Sequence, residues 1–327
     1  MQYINLGKTD RKISKLGLGT WAMGAGTAWD SEVDIDKSVN TIIEAVNHGI
    51  NVIDTAPGYN FGQSEEIVGK AINEISREDI CLITKCGIVW DREGALFNKV
   101  GGRQLYKLLT PDSIRKEVED SLKRLNTDYI DVYMTHWQAV EPFYTPISEV
   151  VKTLEQLKSE GLIKYIGAAN VDYNQIKEYI ESGQLDIVQL KYNILERSVE
   201  KDIMPLCIKN NITFQAYSPL EQGLLTGEFD ENYMPKGARA NKFWWQKENL
   251  KKVVWMLNNW KPLTKKYNCS IANLALAWII NQNDNINLLS GASEVSEIKE
   301  NVISAELEIE KEDIEYMTKL ADEICAN

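Results

Sequence analysis

The sequence predicts an α/β protein, a (β/α)8 TIM barrel with an N-terminal β-hairpin and long loops on its C-terminal face. Three observations predict it. Eight short apolar runs recur along the 327 residues. Helical patterns separate them. The runs are nearly unbroken rather than alternating, as strands covered on both faces are. A chain of 1–327 suits a single barrel domain with insertions. An open doubly wound sheet is the other arrangement of the same pattern.

The strands are expected at 16–21, 51–56, 80–85, 129–136, 164–170, 187–192, 213–218 and 286–290. Residues 1–14 precede them and carry the turn signal Gly7-Lys8-Thr9-Asp10, which fits a hairpin across the barrel's bottom. Helix signals fill the gaps. Thr110 and Pro111 open a helix with Ile114, Val118, Leu122 and Leu125 on one face. Thr145 and Pro146 open another, with Ile147, Val150, Val151, Leu154 and Leu157, which Gly161 stops. Asp172 and Gln175 read as a capping box, and Ser270 caps the apolar helix that follows it. Segments 22–33, 86–109 and 221–250 are too long for simple connections. All follow strands, so they lie on the C-terminal face, where barrels of this class keep their active sites.

Bulk properties narrow the partners. Asp and Glu outnumber Lys and Arg by 48 to 36, a net charge of −12, and no basic run stands out. Nucleic acid is therefore not an expected partner. The five cysteines form no metal-like or redox spacing and read as reduced thiols. The N-terminal Met1-Gln2-Tyr3-Ile4 has no charged-then-apolar signal, and no apolar stretch approaches membrane-spanning length. A cytoplasmic protein acting on a small molecule is expected, with homo-oligomerisation left open.

Chemistry gathers at strand ends. The second run ends in Asp54-Thr55-Ala56-Pro57-Gly58-Tyr59, the third at Lys85 and the fourth at His136. In one barrel these side chains meet at one mouth. A free phenol has a pKa near ~10 and a nearby cation lowers it. Lys85 supplies that cation, Asp54 keeps it charged, and His136 bonds the phenol or a substrate oxygen. The competing reading is a structural Asp–Lys ion pair with Tyr59 as a loop aromatic. The other histidine, His48, precedes Gly49 at a helix end and suits the negative pole there.

Gly17-Leu18-Gly19-Thr20-Trp21-Ala22 superficially matches a dinucleotide fingerprint, but a loop rather than a helix follows it. Ser290-Gly291-Ala292-Ser293 leads into a helix, a common anion site after the last strand of a barrel. Gly101-Gly102-Arg103 is a weaker anion-site pattern.

Together these motifs resemble the aldo-keto reductase family, in its bacterial and potassium-channel-β-subunit-like branch. The resemblance runs through Leu16-Gly17-Leu18-Gly19-Thr20, Asp54-Thr55-Ala56 with Tyr59, Ser64-Glu65, Val68-Gly69, Lys85 and His136. It continues through Ala169-Asn170, Gln189, Tyr217-Ser218-Pro219-Leu220, Gly223 to Gly227, and Gly291 to Asn301. It implies NAD(P)H lying across the mouth, bordered by Gly19, Thr20, Trp21 and Asp54. Tyr217 would stack on the nicotinamide, and Asn170 and Gln189 would hold its carboxamide. Ser218, Pro219, Leu220 and Gly223 would embrace the pyrophosphate. Gly291, Ser293, Glu297 and Asn301 would surround the adenosine. Asp54, Tyr59, Lys85 and His136 form the implied catalytic set.

Two departures stand out. Ala169 replaces the usual Ser before the Asn. Glu294 and Glu297 occupy a turn that lacks Lys and Arg from 290 to 298. Carboxylates there repel a 2′-phosphate and accept bonds from a free ribose hydroxyl, so NAD(H) is expected over NADP(H), unless Lys299 or Arg239 reaches over. Trp21, Trp29, Trp90, Trp137 and Trp245, with Tyr59 and His136, are the expected substrate walls. Such aromatic walls suit a sugar, a polyol or a related small aldehyde or ketone. Two other functions compete: a redox-inactive nicotinamide-binding sensor or regulatory subunit, and a Schiff-base aldolase using Lys85. The aldolase needs a neutral amine, which Asp54 opposes.

Overall fold

The computed structural model describes residues 1–24 and 34–326. Its centre is a closed barrel of eight parallel strands in chain order, each bonded to the next and the last to the first. The strands are Leu16–Gly19, Val52–Asp54, Cys81–Cys86, Ile130–Thr135, Ile163–Ala169, Ile187–Lys191, Thr213–Tyr217 and Ile286–Gly291. Closure excludes the open sheet. The expected runs and these strands differ at their ends by at most two residues, in either direction. Trp21, for example, starts a 3₁₀ turn, Trp21–Gly24.

Alternation along the strands divides the interior from the outer layer. Val52, Ile83, Val132, Met134, Ala169, Ile187 and Leu289 form an inner core. Leu6 and Ile13, from the N-terminal hairpin Tyr3–Asn5 and Lys12–Ser14, join it. Ile53, Leu82, Tyr133 and Val188 belong to the outer core beneath the helices. Truncating a buried Ile such as Ile83 to Ala costs about 2–5 kcal/mol. Asp54, Lys85, His136 and Gln189 each lie two residues beyond an inner-core residue. The same alternation thus carries them to the top of the interior.

The helix signals hold with one shift. Thr110 is an N-cap with Pro111 in the first turn. Asp172 and Gln175 form the reciprocal capping box, and Ser270 forms one with Asn273. The cap of helix Ile147–Ser159 is Pro146 rather than Thr145. His48 caps helix Ile35–Asn47, its Nδ1 lying 2.8 Å from the Glu44 carbonyl.

Segment 86–109 is not a loop. It folds as a three-stranded antiparallel sheet of Ile88–Val89, Arg103–Lys107 and Ala95–Val100. Gly101 and Gly102, both at positive φ (54° and 85°), make the hairpin turn at its tip. Two successive positive φ values are what such a turn demands. At Gly101-Gly102-Arg103 the glycines are an open tip, and the Arg103 guanidinium lies 5.0 Å over the Phe61 ring. Among the described residues, no helix is long and apolar enough to cross a membrane.

Candidate active site

The chain from Thr55 to Gly62 sets up the mouth. Thr55 donates its backbone N–H to Ile83 of the next strand, and Tyr59 donates to Ala56. Asn60, Phe61 and Gly62 then take successive left-handed conformations that lead into helix Gln63–Ile72. Ser64 explains part of the sequence signature. Its hydroxyl meets those of Thr20 and Thr55 at 2.8 and 2.9 Å, tying the ends of the first two strands together. Glu65 is fully buried between Thr84 Oγ1 and Arg124 Nε, each 2.6 Å from one of its oxygens. Gly69 is needed because a Cβ there would sit 2.4 Å from the Arg124 carbonyl of the neighbouring helix. These residues hold the strands that hold the chemistry.

Lys85 is fully buried and uses all three ammonium donors. They reach Asp54 Oδ1 at 2.7 Å, the Thr55 carbonyl at 2.9 Å and the Tyr59 hydroxyl at 3.2 Å. The second Asp54 oxygen accepts from Gln189 Nε2 at 2.8 Å. Burial pushes the Asp54 carboxyl up, while Lys85 and Gln189 oppose the rise. Burial also works against a charge on Lys85, but the Asp54 carboxylate and Tyr59 outweigh it and hold the ammonium above its usual range. Tyr59 was expected to be lowered by its cation. Its net shift is upward, because burial outweighs the pull of Lys85. The phenol is thus firmly protonated at neutral pH, with its oxygen in contact with an ammonium.

His136 packs edge-on to Tyr59, ring centroids 5.7 Å apart. Burial and then Lys85 hold its pKa well below the usual value, so the imidazole is neutral. Its Nδ1 is sealed away with no partner among the described residues. A proton there would be a buried donor with nothing to meet, so the proton belongs on Nε2.

The other expected residues fall around this mouth. Asn170 donates to the His136 carbonyl and accepts from the Tyr217 hydroxyl, both at 2.8 Å. Ser218 has positive φ, and its carbonyl accepts from Asn193. Pro219 is buried and Leu220 half-buried. Gly223, at φ 94°, opens the 3₁₀ turn Leu224–Thr226. Gly19 and Gly291 are register partners on adjoining strands, and a Cβ on either would meet no atom closer than 3.8 Å. Thr20 is buried, its hydroxyl bonded to the Asp54 carbonyl. Asn301 Nδ2 donates to the Gly291 carbonyl.

The aromatic walls divide. Trp21 is 41% exposed. Trp90 packs edge-on to Phe61, and Trp137 lies against Phe97 with Lys107 above it. Trp29 lies outside the described residues. Trp245 is corrected: only 1% exposed, it is walled in by Phe229 and Tyr233, with Arg239 over its ring. It stiffens the 221–250 segment and cannot touch a substrate as placed.

Two features escaped the sequence reading. Gln215 and Asn287 extend the polar contacts of Gln189 through the barrel interior. Polar residues inside the apolar strands at 213–217 and 286–291 were the available signal. Lys37 reaches the turn that seemed to have no cation, bonding Glu294 at 2.8 Å. It comes from a distant helix, so no local pattern marks it.

A profile of the aldo/keto reductase family matches residues 15–322. The chain belongs to the aldo/keto reductase family. It is 55% identical to the NADH-specific methylglyoxal reductase of Escherichia coli K12, over 98% of this chain and 99% of that protein. A probable voltage-gated potassium channel subunit beta of Arabidopsis thaliana is 31% identical over 92% of this chain and 90% of its own. Among solved structures, the glycerol dehydrogenase AKR11B4 of Gluconobacter oxydans superposes with a TM-score of 0.89 at 33% identity, covering 99% of this chain and 96% of that one. As an aldo/keto reductase, the chain is a carbonyl-reducing oxidoreductase.

Proposed function

We propose that this aldo/keto reductase reduces a small carbonyl compound, an α-oxoaldehyde such as methylglyoxal, at the expense of NADH. The observation that carries the reading is the threefold use of Lys85, whose third donor meets the Tyr59 hydroxyl at 3.2 Å. In a purely structural ion pair that donor would go to a backbone or a carboxylate. Here it polarises a phenol at the mouth.

The groove fits a nicotinamide cofactor. The paired Gly19 and Gly291 leave open floor where any side chain would stand, and Tyr217 is pinned at its hydroxyl so that its ring is fixed for stacking. Gly291 and Asn301 would flank the adenosine half, Asn170 and Gln189 the carboxamide, and Ser218 to Gly223 the pyrophosphate, with Gly19 beside Asp54 at the mouth. The bound cofactor supplies hydride to the carbonyl carbon. The chain's own residues do the rest. His136 offers the Nε2 proton to the carbonyl oxygen and orients it. Tyr59 gives its proton to that oxygen as negative charge develops, and Lys85 stabilises the phenolate left behind. With its pKa held up by burial, the phenol carries its proton at neutral pH, and the adjacent Lys85 ammonium is what lets it give that proton up as charge develops on the substrate oxygen.

NADH is favoured by the adenosine turn. Glu297 Oε2 accepts from the Ser293 N–H, the Ser293 hydroxyl and the Glu294 N–H. It thereby occupies donors that a 2′-phosphate would need. Lys37 is held by Glu294. Arg239 lies by Gly223 and Trp245. Lys299 is two residues past Glu297, about 200° round the helix. The methylglyoxal substrate rests on the Escherichia coli relative. The polyol reading is supported by the likeness to glycerol dehydrogenase.

Steady-state turnover decides among these. Methylglyoxal with NADH is expected to give the highest kcat/KM, and glycerol with NAD a poor one. The reverse order would establish the polyol reading, and a preference for NADPH would refute the role of Glu297. Tyr59→Phe is expected to lower kcat by about 10²–10⁴-fold with NADH binding retained. Full activity in that variant would remove Tyr59 as the acid.

A further inference from the structure

The barrel interior holds a chain of amides that ends at the catalytic carboxylate. Gln189, Gln215 and Asn287 occupy paired register positions on the sixth, seventh and eighth strands. All three are buried. Asn287 Nδ2 donates to the Ser14 carbonyl at 2.7 Å. Gln215 Nε2 donates to Asn287 Oδ1 at 2.6 Å. Gln189 Nε2 donates to Gln215 Oε1 at 2.7 Å and to Asp54 Oδ2 at 2.8 Å.

The polarity of this chain is determined at its far end. A peptide carbonyl only accepts, so Ser14 forces Asn287 to turn its NH2 downward and its oxygen toward Gln215. Gln215 must then offer its NH2 to Asn287 and its oxygen to Gln189. Gln189 must offer its NH2 upward. Flipping any one amide sets two oxygens face to face among buried groups, a cost well above that of an ordinary lost bond.

We propose that Gln215 and Asn287 are positioning residues for catalysis: they relay a fixed orientation from the barrel floor to Gln189, whose N–H then holds Asp54 as the carboxylate that keeps Lys85 charged. The inference rests on the proposed roles of Asp54, Lys85 and Tyr59. Its reason is physical. A buried carboxylate favours its neutral form unless donors face both oxygens. Lys85 faces one and Gln189 the other. With both Gln189 hydrogens in use, only its Oε1 is left for a ligand. That side chain therefore recognises a donor, such as the NH2 of a carboxamide, and not a carbonyl.

The test is Gln215→Met, which keeps length and apolar packing but cannot relay, together with Asn287→Leu, two links from Asp54. The readout is the pH profile of kcat/KM. Without a fixed donor Asp54 binds its proton more readily, so the acidic limb moves to higher pH. A shift of about half a unit to one unit is expected in both variants, a 3–10-fold loss at a fixed pH on that limb. A purely structural role would lower the unfolding midpoint and leave the limb in place, and that outcome overturns the proposal. If neither variant folds, hydrogen exchange of the side-chain amides in the intact enzyme decides. Protected NH2 groups on Gln189, Gln215 and Asn287 support the relay, and exchange as fast as that of exposed amides overturns it. Tyr59→Phe run alongside separates the two readings. Turnover that survives there removes the proton-donor reading, whereas an unmoved limb with Tyr59→Phe inactive removes the relay alone.

Discussion

Two of the buried ion pairs among the described residues look alike on paper and behave differently. Lys85–Asp54 joins the third and second strands at the top of the interior, at 2.7 Å. Arg77–Asp131 joins the start of the fourth strand to the turn before the third, at 2.6 Å. Both carboxylates are almost fully buried, and each also accepts an N–H, from Gln189 and from Leu82 respectively. The difference lies in where the cation's remaining donors go. Arg77 sends them to Thr127 Oγ1 and to the Ile80 and Tyr129 carbonyls, and its plane lies 4.0 Å from the Tyr129 ring. Everything it touches is scaffold. Lys85 sends one to a phenol at the mouth. A buried ion pair thus becomes a candidate catalytic group through one partner that has chemistry of its own, not through burial or pKa.

Removing the cation from each pair tests that contrast most severely. Lys85→Met and Arg77→Met both strand a buried carboxylate, so each is expected to lose about 3–5 kcal/mol of stability, less at Arg77 if Lys164, 3.7 Å from Asp131, compensates. Their activities should part. The folded fraction of Arg77→Met keeps its kcat, while Lys85→Met is expected to lose about 10²-fold or more, as loss of an acid's activation does. Urea unfolding and steady-state kinetics on the same preparations measure both quantities. Equal kcat losses would erase the distinction.

The contrast also marks what could be read from the sequence. Asp54, Tyr59, Lys85 and His136 were visible because each ends an apolar run, and the period of a strand places run ends together once the barrel is assumed. Arg77 and Asp131 were not singled out, although Asp131 sits inside a run, because a buried Asp near a strand's start has no motif. Gln215 and Asn287 were passed over for a related reason. Their meaning lies in the register between strands, which a linear reading does not contain. The hairpin sheet at 88–107 is hard to see in the sequence because its alternation is broken by the bulge between Leu96 and Asn98 and by its exposed positions. Nothing in the sequence separates Trp245 from an aromatic that lines the mouth; only packing shows that Phe229 and Tyr233 enclose it.

A buried carboxyl with a more distant cation completes the series at a smaller scale. Glu117 is buried, accepts from the Gly87 N–H at 2.9 Å and from Ser113, and lies 3.5 Å from Arg92. Burial pushes its pKa from 4.5 up to about 8. The folded protein then keeps a proton that the unfolded chain releases. Its contribution to stability is fully present below about pH 4.5 and is lost as pH rises through about 8. Glu117→Gln is expected to flatten that decline in the unfolding midpoint, measured across the same range. A decline of unchanged slope would show that Glu117 is ionised in the fold.

The smallest effect belongs to the exposed pair, Lys37–Glu294, at 2.8 Å and about half-exposed on both sides. In water and salt such a pair contributes little, since solvent screens the attraction and two long side chains must be ordered to form it. Lys37→Ala is therefore expected to leave the urea midpoint where it is. The short distance alone would have ranked this pair with Lys85–Asp54. A resolvable loss of stability in Lys37→Ala would mean that contact length decides the value of an ion pair in this barrel; no change would leave burial and the identity of the third partner as what separates the three.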